Sequence, residues 1–469
     1  MTTGSLVLSK KPRKTTQVNT LLSPTTRRIV IETADVHEQT PRTVRPRLLL
    51  SEALHWLTHV EVDMDKRPFI GLPSIPTPIE EWLTMMTHKE RYLTAIHHEE
   101  PDRVPVTAGL DAQFKERLTG RRHAPTKSYI GGGVPIAKSH QMTDYEVLEW
   151  NQQLANDATR RLGTDAFTVS DYWLWPQDYE PHYLDKYTFV DWWGKIYRLE
   201  PKVGVNYWID GILKTEEDLD AFVPPDPEEI NYDLVDFVVH DAEEGDYPVI
   251  GGIHLAGMFP YLAMGGLDKF CINLYARPRF VERVLTMFAE VQTQIAKNLL
   301  DRGVDIIAET DDIAGLDGPF WPPRMMKEHI WPPIKRVVDM CHRRGVPYLK
   351  HSDGNLMPVL DDFIEFCGFD GLNPIEPQCM DLAEVKRRFG KRVYLKGNVD
   401  ITWVIPYGGE EDVRRDVRRA IDQGARGGGF VLGESNSFHP GCKFTNILTY
   451  VDEAKKYGMY PCGKVAWEG

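Results

Sequence analysis

Two side chains that can ligate a metal ion stand two residues apart in the segment His-Ser-Asp-Gly-Asn. His351 and Asp353 come at the end of the apolar run 347–351, and side chains two residues apart in an extended chain point to the same side. The pair suits two ligands of one metal ion, or a histidine that a carboxylate orients. A hydrogen bond between the two side chains, without any metal, accounts for the spacing equally well.

Polar residues also close most of the other apolar runs in the chain. Each group alone is explained by a helix N-cap, where Asp, Ser and Asn are preferred. Carboxylates, however, are rarely buried unless they are paired, protonated or metal-bound, so we expect the groups together to form an active site. They are Ser170-Asp171, His254, Glu309-Thr310-Asp311-Asp312, 351–355, Asn373-Pro374-Ile375-Glu376, Gly397-Asn398-Val399-Asp400 and Gly433-Glu434-Ser435-Asn436.

The elements that must position these groups are eight apolar runs of strand length, separated mostly by helical patterns. Strands that alternate with helices predict parallel βαβ units, and eight of them predict a single α/β barrel of the TIM type, (β/α)8. The carboxyl ends of barrel strands meet at one mouth, where the polar groups would converge. The runs are 104–110, 166–175, 248–255, 305–309, 347–351, 370–375, 393–399 and 429–432.

Composition divides the chain into an N-terminal extension and the barrel. Residues 1–50 are basic and rich in threonine, which predicts a flexible tail, although an organellar transit peptide has the same composition. Residues 51–86 form a connector, and residues 87–469 form the barrel. An aromatic-rich insertion near 179–244 has hairpin character and would cover one barrel end. The clearest helices are 87–97, which Thr87 caps with Glu90 as its capping-box partner, 323–344 and 410–423.

Charge and cysteine content exclude several classes of protein. The 469 residues carry a formal net charge of -14, so binding to a nucleic-acid backbone is not expected. Six scattered cysteines without a CxxC pair predict free thiols in a reducing, cytoplasmic compartment. No run of eighteen apolar residues predicts a membrane span.

Several motifs together resemble the uroporphyrinogen decarboxylase superfamily. They are the segment Pro-Asp-Arg-Val-Pro-Val at 101–106, Ser170-Asp171, the segment 351–355, the segment Gly-Asn-Val-Asp at 397–400 and the glycine-rich run that ends at Gly433. The resemblance extends from about residue 87 to the C-terminus. It implies a barrel enzyme with one of two chemistries, decarboxylation of uroporphyrinogen without a cofactor or metal-dependent methyl transfer.

Decarboxylation is the first chemistry that the resemblance implies. Asp171 is similar to the aspartate that holds the pyrrole N–H groups in that enzyme, and Tyr261 lies where the family has a tyrosine before a glycine. Two departures argue against a porphyrinogen substrate. The arginine pair that binds its carboxylates is missing after Val104, and Glu434 replaces the family's late histidine.

Methyl transfer is the second chemistry that the resemblance implies. His351 matches the histidine of the His-x-Cys-Gly-Asn motif in the coenzyme M methyltransferases, whereas Asp353 and Glu434 stand where that group has cysteines. Glu376 is similar to an intervening glutamate in methionine synthase. The resemblance therefore implies a harder ligand set of His351, Asp353, Glu376 and Glu434, for which zinc is the first candidate and manganese or iron the alternatives.

The sequence as a whole predicts a metal-assisted methyltransferase, which demethylates a small O- or N-methyl compound and passes the methyl group to a corrinoid on a partner protein or a similar acceptor. Decarboxylation in porphyrin biosynthesis and a non-catalytic binding barrel are the alternatives. The predicted catalytic residues are Asp171, Tyr261, Glu309, Asp311 and Asp312, and the predicted substrate contacts are His254, Asn373, Asn398, Asp400 and Asn436.

Overall fold

The computed structural model describes residues 85–124, 144–176, 179–200 and 205–467. The predicted tail 1–50 and nearly all of the predicted connector 51–86 lie outside these residues, so those two expectations stay predictions.

Seven parallel strands form the main sheet, in the order β1-β6-β7-β10-β11-β12-β13. Each one falls within or overlaps a run that the sequence predicts as a strand, because these runs are apolar and are bounded by turns. The α/β fold of the TIM-barrel type is thereby confirmed. The seven strands are β1 (Phe167–Ser170), β6 (Val249–Ile253), β7 (Ile306–Glu309), β10 (Tyr348–His351), β11 (Gly371–Asn373), β12 (Tyr394–Val399) and β13 (Phe430–Glu434).

The remaining predicted strand, 104–110, which is the first in the chain, joins the two edges of this sheet without forming a regular ladder. Val106 makes a parallel bridge with Leu432 of β13, and its carbonyl accepts a hydrogen bond of 2.8 Å from the backbone N–H of Asp165, just before β1. Pro105 has no N–H to donate, and the N–H of Val106 donates to the Asp165 side chain instead of a strand. These two facts explain why the ladder is interrupted.

Helices alternate with the barrel strands and bury one face each. Helix α1 begins after Thr87, which forms the predicted capping box with Glu90. The predicted helix 323–344 is divided by a π-helical turn, Met326–Ile330, and Pro332 and Pro333 follow this turn without an N–H to donate. The helices are α1 (His88–Ile96), α2 (Ala112–Thr119), α3 (Asp144–Leu162), α4 (Glu216–Ala221), α5 (Asp233–Ala242), α6 (Met258–Ala263), α7 (Leu267–Ala276), α8 (Pro278–Asp301), α9 (Pro323–Met325), α10 (Trp331–Arg343), α11 (Leu360–Cys367), α12 (Leu382–Phe389), α13 (Val404–Tyr407), α14 (Glu410–Gly424) and α15 (Phe444–Tyr457).

An antiparallel sheet interrupts the alternation between β1 and β6. Its strands are β2 (His182–Tyr183), β3 (Thr188–Val190), β4 (Lys195–Glu200) and β5 (Val205–Gly211), and a two-stranded ribbon, β8 (Ala314–Gly315) with β9 (Gly318–Pro319), follows β7. Helix α5 then packs on β1 as a barrel helix, which leaves the antiparallel sheet as the added part of this segment.

Within the described part of the chain, no helix combines the length and the apolar character that crossing a membrane requires.

Candidate active site

A cavity of about 610 Å³ opens at the carboxyl ends of the barrel strands. Each of the seven predicted polar groups reaches it through one of its own residues or an immediate neighbour, because parallel strands end at the same mouth. The polar side chains that line it are Thr107, Lys115, Thr159, Thr168, Ser170, Tyr172, His254, Thr310, His351, Asn373, Lys396, Glu434, Asn436 and Ser437.

Three side chains at this mouth lie close enough to hold one metal ion. Asp312, His351 and Asp353 each offer a ligand atom, and these atoms all lie within 4.8 Å of one another. Nε2 of His351 lies 3.5 Å from the carboxylate of Asp312 and 3.7 Å from that of Asp353. His351 and Asp353 are two of the residues that the sequence predicts as ligands, and Asp312 joins them from the end of β7.

The charges of this cluster act on one another. The pKa of Asp353 is raised to about 6, mainly by burial and also by the nearby carboxylates of Asp312 and Glu376, against the attraction of His351. Burial also opposes ionisation of Asp312, but the hydrogen bond and the charge of His351, the backbone N–H of Asp353 and the charge of Lys350 together outweigh that effect, so the pKa of Asp312 is lowered. A cation between the two aspartates would remove their repulsion.

Hydrogen bonds hold the two aspartates in place. The side-chain amide of Asn436 donates to Oδ2 of Asp353 at 2.7 Å, and the backbone N–H of Asp353 donates to Asp312 at 2.9 Å. Oδ1 of Asp353 is buried and has no hydrogen-bond partner among the described residues. Asn436, predicted as a substrate contact, is therefore placed to orient a carboxylate.

The other two predicted ligands face different partners. Oε2 of Glu376 accepts hydrogen bonds from the backbone N–H of Gly354 at 3.1 Å and from the thiol of Cys379 at 3.2 Å. Glu434 is buried, and its Oε1 accepts a bond of 2.6 Å from the backbone N–H of Gly109. Burial raises the pKa of Glu434, and Lys396 partly offsets this rise.

Asp171 faces the protein and not the cavity. Its side chain is fully buried, and its two oxygens accept bonds from the backbone N–H of His254 at 2.9 Å, Nδ1 of His254 at 2.7 Å and the amide of Gln292 at 2.8 Å. The second ring nitrogen of His254 lies 2.7 Å from the hydroxyl of Thr310, which lines the cavity. Asp171 can therefore reach a substrate through His254 and Thr310.

Glu309 and Asp311, two predicted general acids, are occupied within the protein. Glu309 is fully buried and forms an ion pair of 2.8 Å with Lys350, and burial raises the pKa of Glu309 to about 7. Asp311 accepts hydrogen bonds from four successive backbone N–H groups, those of residues 255–258. Both side chains support the barrel mouth and do not line the cavity.

Of the remaining predicted residues, one lines the cavity and the others bond or pack within the protein. Asn373 lines the cavity. Asn398 bonds to the carbonyl of Ile375 and to Arg419, and Asp400 caps the turn that follows β12. Tyr261 packs against the hydrophobic core from α6, and burial raises its pKa.

Sequence reasoning passed over several cavity residues, including a threonine at a strand end and two lysines. Thr310 stands inside the predicted group 309–312, where its carboxylate neighbours are the stronger candidates by residue type. Lys396 occupies an inward-facing position of β12, and Lys115 lies on α2. A cation amid apolar strand residues, as at Lys396, is the signal that could have identified a residue facing the cavity.

Comparison with known proteins identifies the protein family to which this site and fold belong. The sequence profile of the family "Uroporphyrinogen decarboxylase (URO-D)" matches residues 198–457, which is more than half of the chain. A uroporphyrinogen decarboxylase from Thioalkalivibrio sulfidiphilus is 26% identical over 50% of this chain and 67% of its own length. The methylcobamide:CoM methyltransferase MtaA from Methanosarcina barkeri is 23% identical over 47% of this chain and 61% of its own length.

A solved structure supports the same fold. A methyltransferase from Methanosarcina mazei superposes with a TM-score of 0.59 at 20% identity and covers 79% of this chain and 99% of its own. The chain spans about 59 to 69% of the length of the curated relatives it matches, and these relatives carry names from both chemistries. The chain belongs to the uroporphyrinogen decarboxylase (URO-D) family.

Proposed function

We propose that the protein is a metal-assisted methyltransferase that takes a methyl group from a small O- or N-methyl compound. The acceptor in this proposal is a corrinoid on a partner protein or a similar group, and the compartment is the cytoplasm. The observation that carries the proposal is the cluster of Asp312, His351 and Asp353 at the mouth of the barrel cavity.

The donor atoms of the cluster fit a divalent transition metal. One imidazole and two carboxylates form a set that suits zinc, manganese or iron better than calcium, and the buried, unpartnered Oδ1 of Asp353 offers a free lone pair. We take zinc as the first candidate. When bound, such an ion would act as a Lewis acid toward the oxygen or nitrogen that leaves the methyl group.

The protein's own residues would fix the ligands and the substrate. Asn436 orients Asp353, and the backbone N–H of Asp353 holds Asp312. Lys115 and Lys396 line the same cavity, which favours a methyl donor that also carries a carboxylate or another anionic group.

Decarboxylation of a porphyrinogen receives less support from this geometry. It would require Asp171 to hold pyrrole N–H groups, but both oxygens of Asp171 already accept hydrogen bonds from His254 and Gln292. Among the described residues that line the cavity, lysines are present and arginines are absent.

Metal analysis of the purified protein tests the first half of the proposal. We expect about one divalent ion per chain after purification without a chelator. The variants Asp312→Asn and His351→Ala should each lower metal affinity at least about 100-fold, since loss of even an indirect ligand contact costs about 10- to 100-fold. His240→Ala is the matched control, because His240 is 85% exposed. Stoichiometry near zero in the wild type would refute a metal site.

Analysis of the reaction products tests the second half of the proposal, the transfer of a methyl group to a corrinoid. Anaerobic incubation with a panel of O- and N-methyl carboxylates and free cob(I)alamin should give methylcobalamin in the wild type, and not in Asp312→Asn. Uroporphyrinogen is the comparison substrate. Coproporphyrinogen formed at about one per second or faster, without methylcobalamin from any donor, would replace this proposal with decarboxylation.

A further inference from the structure

Three adjacent barrel strands end in a chain of hydrogen-bonded side chains. Asp171 follows β1, His254 follows β6 and Thr310 follows β7, and these strands are neighbours in the sheet. Oδ1 of Asp171 lies 2.7 Å from Nδ1 of His254, and Nε2 of the same ring lies 2.7 Å from the hydroxyl oxygen of Thr310. The arrangement contains an acid, a base and a hydroxyl in series.

The hydrogen bonds fix the direction in which protons can move. The Asp171 carboxylate accepts from the backbone N–H of His254 and from Gln292, so Nδ1 of His254 is the donor in its contact with Asp171. Nε2 of a neutral imidazole is then an acceptor. The hydroxyl of Thr310 can donate its proton to this nitrogen at 2.7 Å, which is a shorter contact than that to its other acceptor, the carbonyl of Ile253, at 3.2 Å. The lone pairs of the Thr310 oxygen remain for a bound molecule.

Packing holds the imidazole in this orientation. The ring of Phe259 stacks on His254 with a centroid distance of 4.4 Å and an interplanar angle of 7°. Tyr172 covers the ring with a centroid distance of 3.9 Å. His254 is only 1% exposed, whereas Thr310 is half-buried and lines the cavity. A base held in this way within hydrogen-bond reach of a hydroxyl is the signature of an activated nucleophile.

We propose that Thr310 is a nucleophilic hydroxyl toward acyl or phosphoryl electrophiles, with His254 as its base and Asp171 as the residue that positions the base. In the step, a bond forms between the Thr310 oxygen and the acyl carbon or the phosphorus, and the bond to the leaving group breaks. The hydroxyl proton moves to Nε2 of His254, where Asp171 stabilises the imidazolium. This activity goes beyond methyl transfer and requires neither a metal ion nor a methyl donor.

A fluorophosphonate probe tests the proposal directly, because it reacts with an activated hydroxyl and releases fluoride. The full-length wild type would be incubated with the probe, and the adduct located by peptide mass spectrometry. Thr310→Val removes the hydroxyl, Thr310→Ser retains one and His254→Gln removes the base. Thr293→Val is the control, because the Thr293 hydroxyl bonds to a backbone carbonyl within α8.

We expect about one adduct per chain on residue 310 in the wild type, the Thr293→Val control and Thr310→Ser, and none on that residue in Thr310→Val. The reaction of His254→Gln should be at least about 100-fold slower, the lower range for loss of a general base. Circular dichroism of each variant checks that it folds, and Thr310→Ser keeps the test informative if His254→Gln does not. Absence of an adduct on residue 310 in the wild type, or an unchanged rate in His254→Gln, would overturn the proposal. Because the probe reports no methyl transfer, its outcome is independent of the metal site.

Discussion

The buried pair of Glu309 and Lys350 makes the stability of the barrel depend on pH in a defined direction. Both side chains are fully buried, 2.8 Å apart, and burial raises the pKa of Glu309 from 4.5 to about 7. The folded protein therefore binds a proton at Glu309 more tightly than the unfolded chain does. The stability that this proton contributes is complete below pH 4.5 and is lost as the pH rises to about 7.

The size of the change in the free energy of unfolding follows from the pKa shift of Glu309. Each pKa unit corresponds to about 1.4 kcal/mol, so the rise from 4.5 to about 7 corresponds to about 3 kcal/mol across that interval. The change to make is Glu309→Gln, which has nearly the same shape as the protonated acid and does not titrate. We expect the free energy of unfolding of the wild type to fall by about 3 kcal/mol relative to the variant between pH 4.5 and 8.

Urea unfolding at a series of pH values measures this difference. Glu290→Gln is the control, because Glu290 is 64% exposed and its ion pair with Arg336 spans 3.6 Å, so its difference from the wild type should stay flat with pH. A difference between the wild type and Glu309→Gln that varies by less than about 1 kcal/mol over the interval would refute the burial argument. Full methyl-transfer activity in Glu309→Gln would further support a structural role over the predicted role as general acid.

Three further changes test the support of the site. Asp311→Ala leaves four backbone N–H groups of residues 255–258 without their acceptor, so the free energy of unfolding should fall by at least about 3 kcal/mol in urea titration, and a loss below about 1 kcal/mol would contradict this. Asp165→Ala leaves the buried guanidinium groups of Arg91 and Arg103 without their shared carboxylate. We expect the free energy of unfolding to fall by about 3 to 5 kcal/mol, whereas loss of a surface pair such as Lys335 with Asp339 should lower it by less than about 1 kcal/mol. Gly354→Ala places a Cβ 2.6 Å from the backbone of Ala314, at a residue whose φ is +88°. Both the melting temperature and the affinity for zinc should therefore fall. An unchanged affinity for zinc would show that the position of Asp353 does not depend on this turn.

The strands could be predicted from the sequence, but the departures from regular geometry could not be placed. Apolar runs with polar ends marked the barrel strands because such strands are buried on both faces. The first of them, 104–110, closes the barrel through single bridges because Pro105 and Asp165 divert its hydrogen bonds. Sequence periodicity cannot show such a diversion, since it depends on a side chain about sixty residues away.

Prediction of the candidate site from the sequence meets the same limit for individual residues. Asp311 and Asp312 are adjacent in one loop, yet Asp311 holds the backbone after β6 whereas Asp312 joins the cluster with His351. Which carboxylate reaches His351 depends on the path of the backbone after the strand ends, and residue type carries no information about that path. The proximity of His351 and Asp353 could be predicted, because His351 ends β10 and Asp353 follows it by two residues, a spacing that places both side chains on the same side of an extended chain.

The closure of the barrel has a consequence for how the chain folds during synthesis. Thr107 of the closing segment hydrogen-bonds to Leu432, 325 residues later, so the sheet has two open edges until the last strand has left the ribosome. Contacts between such distant residues form slowly, and unpaired strand edges attract other strands. The nascent chain would therefore expose unpaired strand edges for most of its translation, and a ribosome stalled before residue 430 should hold an aggregation-prone intermediate with β13 still missing.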